Sequence, residues 1–112
     1  MKIYHNPRCT KSRQTLALLQ EQGHEPEVVE YLKTPPSQKD LKAVLKQLGM
    51  KPVEIIRKGE AVFKEKFKGQ ELSDAEWIKV LVEHPVLIER PIVVTKKGAA
   101  IGRPPENVLS VL

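Results

Sequence analysis

The chain is predicted to be an α/β protein in which a βαβ half and a ββα half flank a helical insert at about residues 37–84. Three observations predict it. Short β-branched runs lie near both ends, and the first two of them are separated by a segment of helical length. Pro and Gly punctuate the chain wherever its periodicity changes. The stretch between the halves carries its apolar residues at helical rather than strand spacing.

Lys2–His5 is short, half apolar and followed by Asn6-Pro7, so it reads as a first strand ending in a loop. A helix begins just after Cys9, turns Leu16, Leu18 and Leu19 inward and stops at Gly23. Pro26 introduces the second strand, Glu27-Val28-Val29-Glu30-Tyr31, and a right-handed helical crossover makes the two strands parallel. Thr34-Pro35-Pro36 breaks the chain. Ser37 with Asp40 forms a capping box for a helix whose Leu41, Val44, Leu45 and Leu48 fall at i, i+3, i+4 and i+7, and Gly49 ends it. Smaller helical pieces follow at Val53–Ile56 and Glu60–Phe67, the latter with Phe63 and Phe67 one turn apart. Ser73-x-x-Glu76 opens a helix with Trp77, Ile78, Val80 and Leu81 on its apolar face, and His84-Pro85 stops it. Strand character returns in Pro91–Thr95, turns at Lys96-Lys97-Gly98 and comes back through Ala99–Gly102 as an antiparallel hairpin. Arg103-Pro104-Pro105 leads into a last short helix ending near Leu112. This order is the thioredoxin-like arrangement, and with no repeat or linker the whole of 1–112 is expected to be a single domain.

Composition narrows the function. The 112 residues hold 19 Lys and Arg against 14 Asp and Glu, a net charge of +5. No apolar run approaches the roughly 20 residues a membrane span needs, and no signal-peptide core follows Met1, so a cytoplasmic protein that binds no membrane is expected. One Cys and three His without a cluster leave no metal site. The positive surplus invites a nucleic-acid reading, but aromatics are 4% of residues, no groove-reading motif occurs, and the Lys are interleaved with acids. The five Arg are placed differently: Arg8, Arg13, Arg57, Arg90 and Arg103 all lie at junctions marked by Pro, Gly or the lone Cys. No nucleic-acid partner is expected, and the chain is taken as a monomer.

The loop His5-Asn6-Pro7-Arg8-Cys9-Thr10-Lys11-Ser12-Arg13 puts the only thiol where a strand hands over to a helix. Backbone N–H groups and the positive end of the helix dipole stabilise an anion there and favour a thiolate. First turns ordinarily attract Asp and Glu for the same reason, whereas this one has Lys11 and Arg13 and no acid, which suits a thiolate or bound oxyanion. A dithiol oxidoreductase needs Cys at the position that Ser12 holds. A phosphatase-like loop needs five residues between Cys and Arg, and here three separate Cys9 from Arg13. The thiol acts alone or with a thiol from another molecule.

Four stretches together are specific: His5-x-x-x-Cys9-x-x-Ser12-Arg13, Arg57-Lys58-Gly59-Glu60, Leu87-Ile88-Glu89-Arg90-Pro91-Ile92 and Ile101-Gly102-Arg103-Pro104-Pro105. In them the chain resembles, over essentially its full length, the glutaredoxin-coupled arsenate reductases and their close relatives. The resemblance implies that Cys9 is the nucleophile that forms a covalent adduct with arsenate and that Arg57, Arg90 and Arg103 bind the oxyanion. Guanidinium suits that task, being permanently charged and forked. It further implies glutathione as co-substrate with no bound cofactor, glutaredoxin as the partner that clears the mixed disulfide, and a cis peptide before Pro91. Ser12 is a candidate donor to the thiolate, His5 a structural or tuning neighbour of Cys9, and Arg13 a further anion-binding or thiolate-favouring group. Thr10-Lys11 stands where the family's best-studied members have Gly-Thr, so another oxyanion or a thiol is an alternative substrate. A non-enzymatic redox regulator of the same fold group, binding RNA polymerase, is the alternative of a different class, although Ser12 removes the usual sensor pair.

Overall fold

In the computed structural model, which describes all of residues 1–112, a four-stranded mixed sheet carries both ends of the chain. The elements of the sheet unit are β1 (Lys2–His5), α1 (Thr10–Glu21), β2 (Glu27–Glu30), β3 (Ile92–Thr95) and β4 (Gly98–Ile101), followed by a 3₁₀ segment over Pro105–Val111. The strand order is β2-β1-β3-β4. β1 runs parallel to β2, with His5 opposite Glu30, and antiparallel to β3, with Ile3 opposite Val93. A two-residue loop, Lys96-Lys97, joins β3 to β4 so that Thr95 pairs with Gly98. The β2 edge is short and its Val28 is exposed. Tyr31, expected to end that strand, is instead a buried turn residue.

The core of this unit is the fully buried cluster Ile3, Leu19, Val93 and Val108, on which Leu16, Leu18, Ala100 and Leu112 pack. α1 supplies its inner face at 16, 18 and 19, as its leucine spacing predicts. The terminal segment is 3₁₀ rather than α-helical. Pro104 caps it and Pro105 is its first residue, the Asn107 side chain donates to the Arg103 carbonyl, and the Ser110 hydroxyl donates to the Asn107 carbonyl. Such local bonds compete with the i→i+4 ladder.

Residues 35–89 form a second compact unit, where an insert at about 37–84 is expected from sequence. It contains α2 (Gln38–Leu48), a 3₁₀ turn (Pro52–Ile55), α3 (Ala61–Lys66), α4 (Asp74–Glu83) and a 3₁₀ turn (Pro85–Leu87). The extra residues at its end belong to it through an isolated antiparallel bridge, Ile56 to Ile88. Both long helices open with full capping boxes, Ser37/Asp40 and Ser73/Glu76. Gly49 ends α2 at φ 68°, a left-handed conformation that glycine adopts without a Cβ clash. α2 packs on α4, and Phe63 stacks on Trp77 with ring centroids 6.2 Å apart. No helix of the protein is long and apolar enough to cross a membrane.

Candidate active site

Cys9 is the N-cap of α1, with extended backbone angles of φ −90° and ψ 122°. Its N–H donates to the Asn6 carbonyl at 3.0 Å, closing the turn after β1, and its carbonyl accepts from the Arg13 N–H at 3.0 Å, starting the helix. Helices usually place Ser, Thr, Asp or Asn at this position. Here the side chain makes no capping bond, and the first turn contains no acid. The sulfur therefore sits at the positive end of a three-turn helix, on a half-buried residue.

Arg103, just after β4, reaches this sulfur. Its Nη1 lies 3.9 Å from Cys9 Sγ and donates to the Arg90 carbonyl at 3.3 Å. The backbone that delivers it is tightly held. The Gly102 N–H donates to the Pro91 carbonyl and the Arg103 N–H to the Ile101 carbonyl, both at 2.9 Å. A Cβ at Gly102 would overlap Thr15 Oγ1 and lie 2.9 Å from Pro91 Cγ. Buried Thr15 donates its hydroxyl to the Lys11 carbonyl at 2.8 Å and lies 3.4 Å from the Gly102 carbonyl. Thr15 and Gly102 thus join the helix that carries Cys9 to the strand end that carries Arg103. The Arg90–Pro91 peptide is cis, as is Arg103–Pro104.

The supporting residues form a second layer. His5 is buried, and its Nδ1 lies 2.6 Å from Ser12 Oγ, which also accepts the Asn6 N–H at 3.0 Å. The candidate bond from Ser12 to the thiolate is not made. Ser12 Oγ accepts the Asn6 N–H and has only His5 Nδ1 to receive its own hydrogen, so the network assigns Ser12 as donor to the ring, and Ser12 shapes the loop and orients the imidazole. Burial pushes the His5 pKa below its ordinary 6.5, Glu30 opposes that shift, and Arg13 adds to it. A neutral ring accepting at Nδ1 carries its hydrogen on Nε2. Arg13 folds back over the loop, donating from Nη1 to the Pro7 carbonyl at 2.9 Å and from Nη2 to Thr10 Oγ1 at 3.3 Å. It is a brace of the Cys9 loop.

The structure thus brings Cys9, Arg103 and the Arg90 carbonyl together, with His5, Ser12 and Arg13 holding the loop. Arg57 belongs to the insert unit. There its Nη1 pairs with Glu60 at 3.0 Å, its Nε lies 3.9 Å from Glu89, and its N–H donates to the Leu87 carbonyl at 2.8 Å. Sequence reasoning missed Thr15 and the steric role of Gly102. The available signal was a glycine directly before Arg103, at the end of a strand that no turn requires it to leave. No group of three or more His, Cys, Asp or Glu side chains is placed to hold a metal.

Comparison with known proteins now bears on this geometry. Residues 4–111 match the model of the ArsC family. The chain belongs to the ArsC family. Within it, the chain is 45% identical over 98% of its length to an arsenate reductase of Haemophilus influenzae, covering 97% of that protein. It is 51% identical over its full length to the uncharacterized protein YfgD of Escherichia coli K12, covering 96% of it. Among solved structures, an arsenate reductase from Vibrio cholerae superposes with a TM-score of 0.94 at 50% identity, covering 99% of this chain and 96% of that one. The ArsC chain described here therefore has the thioredoxin-like fold of these reductases, and its four motif stretches lie inside the matched range.

Proposed function

We propose that the protein reduces arsenate to arsenite in the cytoplasm through a covalent adduct on Cys9, with glutathione and glutaredoxin as the reducing system. The observation that carries this reading is the Arg103 guanidinium 3.9 Å from the Cys9 sulfur at the N-terminus of α1. Cation and helix end converge where a thiolate must exist and where an oxyanion must be held. The arsenate reductases among its relatives support the substrate.

The Cys9 thiolate attacks arsenic, an S–As bond forms, and one arsenate oxygen leaves as water after protonation. Arg103 neutralises charge on the oxyanion, and Arg90 and Arg57 are the further arginines that the family motif assigns to it. A glutathione thiolate then attacks the adduct. An S–S bond forms between Cys9 and glutathione while the As–S bond breaks, its electron pair stays on arsenic, and As(III) leaves as arsenite. Glutaredoxin removes the glutathionyl group by thiol–disulfide exchange and restores the Cys9 thiol. One protein cysteine suffices for this cycle.

The test is arsenate reduction with glutathione and glutaredoxin, comparing the wild type with Cys9→Ser and Arg103→Ala. Loss of turnover in Cys9→Ser and severe loss in Arg103→Ala is the expected result. An inactive wild type would end the arsenate reading, and full activity of Cys9→Ser would end the covalent mechanism.

A further inference from the structure

The loop that precedes Cys9 and the end of β2 enclose a cleft of about 190 Å³. That is below the roughly 300–1,000 Å³ of sites that enclose a drug-sized ligand, so it suits one end of a small molecule. Pro7 and Leu32 make part of its wall apolar, Arg8 and Lys33 supply cations, and Glu30 supplies an anion. His5 also lines it, although only 6% of that residue is exposed. Its Nδ1 is taken by Ser12, and no protein atom hydrogen-bonds Nε2. Since the Ser12 hydroxyl gives its hydrogen to Nδ1, Nε2 carries one and is a donor left to the cleft that His5 lines.

We propose that this cleft binds the zwitterionic α-amino-acid head of a small thiol, its carboxylate on His5 Nε2, Arg8 and Lys33 and its ammonium on Glu30. A bare anion would need the cations alone, and a bare cation the carboxylate alone. Both signs across one small, partly apolar cleft match a carbon bearing ammonium and carboxylate together. Glu30 and Lys33 meet at 3.5 Å with both side chains exposed, and such a pair contributes little and opens readily to take up a ligand. Arg8 immediately precedes Cys9, so a head anchored here keeps the rest of the molecule beside the Cys9 loop. The inference rests on the reading that a second thiol must reach Cys9, and it names the chemistry that recognises that thiol. Glutathione, γ-glutamylcysteine and cysteine all carry such a head.

The full chain labelled with ¹⁵N is titrated with S-methylglutathione, which has the head but cannot react at sulfur. Saturable shifts of the amides of His5, Asn6 and Arg8 and of residues 30–33 are expected. The analogue with glutaryl in place of γ-glutamyl lacks the ammonium and should bind roughly tenfold more weakly, as should S-methylglutathione to Lys33→Ala and to Glu30→Gln. Shifts confined to other residues, no saturation, or equal binding of the glutaryl analogue overturn the proposal. Arsenate reduction with glutathione and glutaredoxin reports on Cys9 separately. Activity there without S-methylglutathione binding overturns the cleft and leaves the arsenate reading intact, and binding without activity does the reverse.

Discussion

Arg103 Nη1 lies 3.9 Å from the Cys9 sulfur while donating to the Arg90 carbonyl 3.3 Å away, so a single nitrogen ties the thiol to the strand that follows the cis-Pro91 peptide. The contact is long for a hydrogen bond and joins a permanent cation to a soft acceptor. It fixes where positive charge stands before any substrate arrives, which is the preorganisation that makes electrostatic catalysis effective.

Arg103→Ala should therefore lower kcat for arsenate by about 10²–10³-fold, the range seen when one donor to a developing anion is removed. Arg103→Lys keeps the charge but loses the fork that holds two oxygens at once, and should fall between the alanine variant and the wild type. Steady-state kinetics with glutathione and glutaredoxin in excess checks both. A lysine variant as active as the wild type would contradict the role given to the guanidinium.

The order of elements was legible because each boundary carries its own chemistry: Asn6-Pro7, Gly23, Ser37 with Asp40, Gly49, and Ser73 with Glu76. Cys9 at a helix start was legible from the same boundary logic. The placement of Arg103 was not, because it depends on Thr15 and Gly102 meeting across 87 residues, and a nonlocal steric fit leaves no periodic trace. The partner of Ser12 was equally hidden. His5 and Cys9 are both within a helical turn or a loop of it, and only the folded loop decides between them. The 3₁₀ character of Pro105–Val111 follows from local side-chain bonds that helix propensity does not register.

Gly102→Ala should destabilise the protein by about 1–3 kcal/mol, the usual cost of overpacking, because the new methyl meets Thr15 and Pro91 with no room to shift. It should also depress activity, since the same displacement moves Arg103. Urea denaturation of the single variants and of Thr15→Ala/Gly102→Ala forms a double-mutant cycle. The pair should cost clearly less than the sum of its parts, because removing the Thr15 side chain opens the space the methyl needs. Simple additivity would show that the two residues do not share that space.

Ser73→Ala should cost about 1 kcal/mol, within the 0.5–2 kcal/mol range for losing an N-cap. In the native helix the Ser73 hydroxyl accepts the Glu76 N–H at 3.2 Å, and Glu76 accepts the Ser73 N–H at 3.1 Å. Ser73→Asp restores an acceptor at the cap and should recover most of the loss, whereas Ser73→Val should not. Chemical denaturation of the three variants is the measurement, and an alanine variant as stable as the wild type would remove the cap from the account of α4.

His5 makes stability depend on pH in one direction. Its folded-state pKa is pushed below 6.5 by burial, against the pull of Glu30 and with the help of Arg13, so the unfolded chain takes up a proton that the folded one resists. Stability from this group is complete above pH 6.5 and falls as pH drops through 6.5 toward the lower folded value. Protonation also gives Nδ1 a hydrogen, so the 2.6 Å contact survives only with its direction reversed, Nδ1 donating to Ser12 Oγ and the hydroxyl hydrogen losing its acceptor. His5→Gln, which does not titrate, should lose the short bond and be less stable at pH 8, yet lose less further stability between pH 6.5 and 5 than the wild type. Urea midpoints measured across that interval decide the matter: parallel pH profiles for wild type and variant would assign the acid sensitivity to other groups.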